Sequence, residues 1–178
     1  YDNILRCFSL KNGNEIWKIK TENSILKSQK KLSLVINKNS IFFNNSIGDV
    51  MSVNLNTGNL IWILPTSTNT NSSSNYFLKM SNLIIDKNSI YFSTNKNEFY
   101  SVDINSGLTN WTQNINSSSR STVVDTNIFS ISDEGYLVIL NTKTGEIIRR
   151  TNLFSGMKKK KRKKIKPTGF IVGKNKIK

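Results

Sequence analysis

The side chains that most often perform catalysis are scarce in this chain. The 178 residues contain no histidine, so the commonest acid/base group and a Ser-His-Asp triad are both missing. A single cysteine, Cys7, excludes an internal disulfide and a Cys-rich metal site. No Gly-rich phosphate-binding loop occurs. The sequence therefore argues against a triad hydrolase, a zinc enzyme and a nucleotide-binding loop within this stretch.

The acidic residues are also poorly placed for a metal or catalytic cluster. Most of them stand singly in segments that we predict to be turns: Asp49, Asp86, Glu98, Asp103 and Asp125. Asp133 and Glu134 are adjacent, but they precede Gly135 in a pattern typical of a hairpin turn. Turn formation is thus the favoured interpretation of these carboxylates, and no metal or cofactor ligands are assigned.

The basic residues are concentrated near one end of the chain. Lys and Arg number 26 against 11 Asp and Glu, and residues 158–178 hold 11 of the basic residues and no acid. The run Lys158–Lys166 is either a patch for nucleic acid or anionic lipid, or a solvated loop of a Lys-rich protein. The loop is the simpler interpretation. No aromatic residue lies between Phe154 and Phe170, where a single-strand binder would need stacking platforms.

A repeated segment organises the whole sequence. Its four copies are CFSLKNGNEIW (Cys7–Trp17), SVNLNTGNLIW (Ser52–Trp62), SVDINSGLTNW (Ser101–Trp111) and ILNTKTGEIIR (Ile139–Arg149). The seventh place is always glycine, and these glycines are 45, 49 and 38 residues apart. Trp follows four residues later in three copies. Such a period predicts an array of similar structural units.

Each unit is predicted to be a four-stranded antiparallel sheet. In the second unit the expected strands are Leu32–Ile36, Ile41–Asn44, Val50–Leu55 and Leu60–Leu64, separated by connectors rich in Asn, Ser, Gly and Asp. A single sheet of this kind cannot bury both faces, whereas sheets stacked around an axis can. Four strands in about 40–50 residues are the signature of a β-propeller.

The repeat also sets the expected domain organisation. We predict one partial propeller domain over residues 1–178, with blade repeats at about 1–21, 32–64, 83–115, 122–152 and 169–178 and a basic loop at 156–168. The first and last repeats begin or stop in mid-unit. The expectation is a fragment with about three full and two partial blades.

The glycines and tryptophans of the repeat are predicted to be structural. Gly13, Gly58, Gly107 and Gly145 fall in the turn before the last strand, where a positive φ is expected. Trp17, Trp62 and Trp111 fall on outer strands at one repeated height. A large flat side chain there can pack over the neighbouring blade and close the seam between blades.

These residues resemble the blade motif of PQQ-like β-propeller repeats, the tryptophan-docking motif A-x-D-x-x-T-G-x-x-x-W. The best copy places Ser101, Asp103, Ser106, Gly107 and Trp111 in the motif positions. Cys7 takes the small-residue position of the first copy, which favours a packed cysteine over a reactive one. Ile139 and Arg149 depart from the pattern in the fourth copy.

Within that repeat class the chain resembles the BamB family of propeller lipoproteins, because its repeats are short and its turns are Asn-rich. The resemblance implies a seven- or eight-bladed propeller, anchored by an N-terminal lipid to the periplasmic face of the outer membrane of a Gram-negative bacterium. Its implied partners are the insertase of the β-barrel assembly machinery and unfolded outer-membrane proteins, with no nucleic acid and no cofactor. The implied function is that of a non-catalytic scaffold.

Two further expectations belong to this resemblance. Binding loops of the family tend to lie between blades. The candidate partner-contact loop is therefore Arg120 and Ser121, which precede the first strand of the third full repeat. The alternative function is that of a fragment of a PQQ-dependent dehydrogenase. That chemistry needs a catalytic Asp near a Ca²⁺ ion, and such enzymes often carry a vicinal cysteine pair. This sequence has a single cysteine and therefore lacks the pair.

Overall fold

Short antiparallel strands form nearly all of the regular structure. The computed structural model describes residues 3–22, 32–66, 80–94, 96–162, 165, 167–173 and 176–177; parts of the first and last predicted repeats lie outside these ranges. The expected all-β fold of four-stranded antiparallel sheets is confirmed. The chain divides into two compact units, residues 1–78 and 79–178.

The first unit contains a hairpin and one complete sheet. The hairpin strands are β1 (Ile4–Phe8) and β2 (Glu15–Lys20), and the sheet strands, paired in chain order, are β3 (Leu34–Asn37), β4 (Ser40–Asn44), β5 (Val50–Asn54) and β6 (Leu60–Leu64). Strand β3 begins two residues later than predicted. The Ser33 N–H donates to the Asn44 side chain at 2.9 Å, so the ladder starts only at Leu34.

The second unit contains two complete sheets and a short hairpin. The strands of the first sheet are β7 (Ile84–Asp86), β8 (Ser89–Ser93), β9 (Glu98–Asp103) and β10 (Thr109–Asn114). Those of the second are β11 (Thr122–Val124), β12 (Asn127–Ile131), β13 (Tyr136–Asn141) and β14 (Ile147–Asn152). One helical turn, α1 (Lys159–Arg162), and the hairpin of β15 (Val172–Gly173) and β16 (Lys176–Ile177) follow. The helical turn was not expected in the basic loop.

The two middle strands of each sheet are buried on both faces. Phe42 and Phe43 are neighbours on β4 and therefore point to opposite faces, yet they are only 1% and 4% exposed. The outer strands instead alternate between half-buried and exposed residues, as in β2 and β10. Both faces of these middle strands are therefore covered, whereas the outer strands reach solvent.

The core of each unit lies between successive sheets. In the first unit Leu5, Trp17 and Ile19 of the hairpin pack against a cluster that contains Met51 and Val53. In the second unit one cluster joins residues of both sheets: Tyr91, Phe99, Ile115, Ile128, Val138 and Leu140. Burial of these side chains supplies the main driving force for stacking one sheet on the next.

Candidate functional site

One turn geometry is repeated before the last strand of each motif copy. The four motif glycines have φ angles of 72° or 73°, in the left-handed region that L-residues with a side chain rarely adopt. In each turn the glycine N–H donates to the carbonyl four residues earlier, as from Gly107 to Asp103 at 3.0 Å and from Gly145 to Asn141 at 3.0 Å. The sequence motif therefore encodes a single turn.

The polar residue that begins this turn caps it. The Asp103 carboxylate accepts the N–H groups of Asn105 at 3.0 Å and Ser106 at 2.8 Å, and Asn54 and Asn141 accept the equivalent pairs. The Ser106 N–H is the largest cause of a pKa of Asp103 below its ordinary value, helped by the Ser106 hydroxyl and the Asn105 N–H. An ionised, hydrogen-bonded and exposed carboxylate of this kind stabilises a turn and is a poor general base.

Two of the tryptophans lie against the turn of the following repeat. The Trp17 indole N–H donates to the Leu55 carbonyl at 3.0 Å, and a Cβ built on Gly58 would lie 2.7 Å from the Trp17 ring. The same arrangement recurs in the second unit, where Trp111 donates to the Thr142 carbonyl at 3.0 Å and its ring lies over Gly145. A side chain at either glycine would occupy the space that the tryptophan ring takes.

The remaining motif residues differ in their surroundings. Trp62 is 9% exposed, and its ring centroid lies 5.8 Å from that of Phe42. Gly107 is buried, whereas Gly13 is exposed and has open space where a side chain would be.

The small residue of the motif lies directly opposite the tryptophan on the neighbouring strand. Cys7 pairs with Trp17, Ser52 with Trp62 and Ser101 with Trp111, and in the fourth repeat Ile139 pairs with Arg149. Both departures from the motif therefore occur at one cross-strand pair. Arg149 is exposed on β14, and Cys7 is half-buried against its aromatic neighbour.

Asp133 lies in a turn as predicted, but Asp86 and Glu98 do not: Asp86 ends strand β7 and Glu98 begins strand β9. In β9 the Glu98 carboxylate accepts the Tyr100 hydroxyl at 2.8 Å. The Asp133 carboxylate accepts the Ser118 N–H at 2.9 Å and its hydroxyl at 2.8 Å, while Glu134 is exposed. In the part of the chain that the structure describes, no three His, Cys, Asp or Glu residues are grouped so that they could hold a metal ion. Among the same residues, no helix has the length and apolar character needed to cross a membrane.

The connector between the two sheets of the second unit carries the candidate partner-contact residues. Its backbone is fixed by Ser117, whose N–H donates to the Ser93 hydroxyl at 3.1 Å and whose own hydroxyl donates to the Ile131 carbonyl at 2.7 Å. Arg120 is exposed, but Ser121 is 2% exposed. Only Arg120 of the predicted pair therefore presents its side chain to solvent.

The residue that follows the basic run, Pro167, contacts this connector. We call Lys158–Lys166 the basic segment; its residues 163, 164 and 166 lie outside the described residues. The Ser119 hydroxyl donates to the Pro167 carbonyl at 3.4 Å, which places Pro167, the residue after the segment, beside the residue that precedes Arg120. Sequence reasoning did not foresee this juxtaposition, because nothing in the repeat pattern relates residue 119 to residue 167.

Comparison with known proteins now identifies the family. A family model described as outer membrane protein assembly factor BamB matches residues 1–151. The chain belongs to the BamB family. No curated protein sequence matches it significantly.

Solved structures agree with this fold assignment. BamB from Moraxella catarrhalis has a TM-score of 0.70 and 14% sequence identity, covering 84% of this chain and 46% of that one. The computationally designed Ika8 protein has a TM-score of 0.69 and 13% identity, covering 99% and 49%. A europium-containing methanol dehydrogenase has a TM-score of 0.63 and 12% identity, covering 85% and 38%. At such identities the likeness shows the fold alone, and the chain spans about half the length of the first two structures.

Proposed function

We propose that this BamB-family chain is part of a non-catalytic β-propeller scaffold at the periplasmic face of the outer membrane of a Gram-negative bacterium. In this proposal the protein, held there by an N-terminal lipid, docks on the insertase of the β-barrel assembly machinery. It assists the delivery of unfolded outer-membrane proteins to that insertase. The observation that carries the proposal is the family match, which extends over residues 1–151.

The connector that bears Arg120 is the surface we assign to the insertase. Its backbone is held by the hydrogen bonds of Ser117 and by those of Ser118 to Asp133. A loop that is already ordered loses little conformational entropy on binding. The exposed Arg120 guanidinium offers five donors in a planar fork, which suits carboxylates or backbone carbonyls on a partner.

The test is recovery of the insertase with the tagged protein from membranes solubilised in mild detergent, measured by mass spectrometry. We expect the wild-type protein to recover the insertase and the Arg120→Glu variant to recover at least about tenfold less, because charge reversal places a carboxylate against carbonyls or carboxylates. Lys143→Glu is the matched control, since Lys143 is an exposed cation in a different turn of the same sheet.

Two results would contradict the proposal. If the wild-type protein recovers no barrel insertase, the scaffold function is wrong. If Arg120→Glu and Lys143→Glu reduce recovery equally, the loss reflects net charge, and the connector is not the contact surface.

A PQQ-dependent dehydrogenase remains the second candidate, because the europium-containing methanol dehydrogenase shares the fold over 85% of this chain. The described acids do not fit the metal site of such an enzyme, since Asp103 and Asp133 accept hydrogen bonds within turns and are not grouped with other acids. Dye-linked alcohol oxidation after addition of PQQ and Ca²⁺ distinguishes the two functions. The scaffold proposal expects no activity above the protein-free background.

A further inference from the structure

The basic segment presents a concentrated and uncompensated positive charge. Lys158, Lys160 and Lys161 are all exposed. Residues 158–178 contain no acid, so no carboxylate within this stretch neutralises them. Like charges at such density repel one another, and an anionic surface relieves that repulsion.

The chain on either side of the segment is attached to the second unit. On the N-terminal side the Phe154 ring packs against Gly135, and the Leu153 N–H donates to the Gly135 carbonyl at 3.0 Å. On the C-terminal side the Pro167 carbonyl accepts the Ser119 hydroxyl. The lysines therefore project from a fixed base.

Arg162 plays a different part from the lysines. Its guanidinium turns back and donates to the Met157 carbonyl at 2.6 Å and to the Ser155 carbonyl at 3.0 Å. It closes the loop that carries α1, while the exposed ammonium groups of Lys158, Lys160 and Lys161 remain available for a ligand. Arg162 thus stabilises the loop, and the exposed lysines carry the positive charge that faces solvent.

Exposed aliphatic side chains bracket the charged ones. Met157 precedes the lysines and is 40% exposed, and Ile165 follows them and is 39% exposed. Cationic and aliphatic groups side by side match a bilayer interface, where headgroups take the charge and the acyl boundary takes the apolar groups. A single-stranded nucleic acid would instead favour stacking, and the aromatic ring that precedes the lysines, Phe154, is already packed on Gly135.

We infer that Lys158, Lys160 and Lys161 bind the surface of a bilayer that contains anionic lipid. Their ammonium groups contact headgroup phosphates, and Met157 and Ile165 enter the acyl boundary. This contact orients the Arg120 connector, which adjoins Pro167, relative to the membrane. The inference rests on charge, exposure and attachment of the segment and does not depend on the identity of the insertase.

The test is co-sedimentation of the purified protein with vesicles of phosphatidylcholine, with and without phosphatidylglycerol. We expect binding only when phosphatidylglycerol is present, and weaker binding as salt is raised, because exposed charges are screened beyond about 10 Å at 0.1 M salt. The triple variant Lys158→Gln, Lys160→Gln, Lys161→Gln should bind roughly a hundredfold more weakly.

Two further variants separate this inference from simpler ones. Lys11→Gln, Lys20→Gln, Lys143→Gln removes the same charge from exposed positions elsewhere, and it should keep most of the binding. Met157→Ser, Ile165→Ser should weaken vesicle binding several-fold while leaving binding to a DNA duplex unchanged. All these positions are exposed, so equal thermal melting of the variants checks that the fold is intact.

Three results would overturn the inference. The first is equal binding to neutral and phosphatidylglycerol vesicles, or to neither. The second is equal loss in the two lysine triples, which would reduce the effect to net charge. The third is full vesicle binding by Met157→Ser, Ile165→Ser together with tighter binding of the wild-type protein to duplex DNA, which would make the segment a nucleic-acid site.

Discussion

At the residue scale, each docked tryptophan makes two contacts of different kinds. The Trp111 ring stacks on Phe99 of its own sheet, with centroids 6.1 Å apart, and lies over Gly145 of the next sheet. Its indole N–H is satisfied by the Thr142 carbonyl, so the ring can be buried without an unpaired donor. The interaction thus depends on a glycine as much as on the tryptophan.

The first prediction separates two requirements for a motif glycine: a left-handed backbone and room for the docked ring. Gly58 and Gly13 have nearly the same φ, 72° and 73°, but only Gly58 faces a ring. We expect Gly13→Ala to cost about 1–2 kcal/mol for the left-handed backbone. Gly58→Ala should cost about 1–3 kcal/mol more, because its Cβ would displace Trp17.

Urea unfolding of both variants measures this difference, and both positions lie in the same compact unit. Equal losses of stability would mean that Trp17 yields without cost. The docking contact would then contribute nothing to the fold.

The second prediction concerns the acid that caps the third turn. The pKa of Asp103 is lowered in the folded state, so the carboxylate stabilises the fold above its unfolded pKa of about 3.9. That stability is lost as pH falls through the folded pKa. Asp103→Asn should keep the turn, as Asn54 and Asn141 do, and remove this pH dependence.

Melting curves of the wild type and Asp103→Asn, recorded from neutral pH to below pH 4, check this prediction. The difference should be at most about 0.5 kcal/mol, since the carboxylate is exposed and screened. Asp103→Ala is the control, and it should be less stable at every pH. An unchanged acid dependence in Asp103→Asn would contradict the assigned role.

At the element scale, the cross-strand pair is the unit that the motif specifies. Ser101 is fully buried opposite Trp111, and its hydroxyl accepts the Asn110 side chain at 3.2 Å. The fourth repeat tolerates Ile139 at the same position because the facing residue is the exposed Arg149. In the three copies that carry a tryptophan, the facing residue is always small: Cys7, Ser52 or Ser101.

The third prediction follows from this pairing. Ser101→Ile should destabilise the second unit by about 1–3 kcal/mol, because the added volume meets Trp111 in a filled interior. Ser101→Ala removes the hydroxyl without adding volume and should cost about 1 kcal/mol. Guanidinium unfolding compares the two, and an isoleucine no worse than the alanine would show that the pair is not sterically coupled.

Much of this element structure could be predicted from the sequence. Alternating apolar residues between Asn-rich turns marked the strands, and the seventh-place glycine marked a turn with positive φ, which all four copies show. The helical turn α1 was missed, because a run of like charges predicts a solvated loop while lysine has good helix propensity. The burial of Ser121 was missed because residues in a connector have no periodicity from which to infer their orientation.

At the scale of the whole molecule, charge and fold are carried by different parts of the chain. The first 157 residues hold 15 basic and 11 acidic residues, whereas the 11 basic residues from 158 onward face no acid in their stretch. Stacking of the sheets depends on apolar faces and on turns, and the excess positive charge does not contribute to it. The family could be predicted from the repeats, but the contact between Pro167, which follows the basic segment, and the Arg120 connector could not. That proximity comes from the folded chain, through Ser119 and Pro167.

The direction of tryptophan docking has a consequence for how the chain is built. Trp17 reaches forward to residues 55–58, and Trp111 reaches forward to residues 142–145. A repeat therefore completes its packing only after the next one has been synthesised. Each such contact closes a loop about one repeat long, and the entropic penalty of closure grows only slowly with loop length. We expect a repeat whose successor has not yet formed to leave its tryptophan undocked, which exposes that repeat to chaperones and proteases.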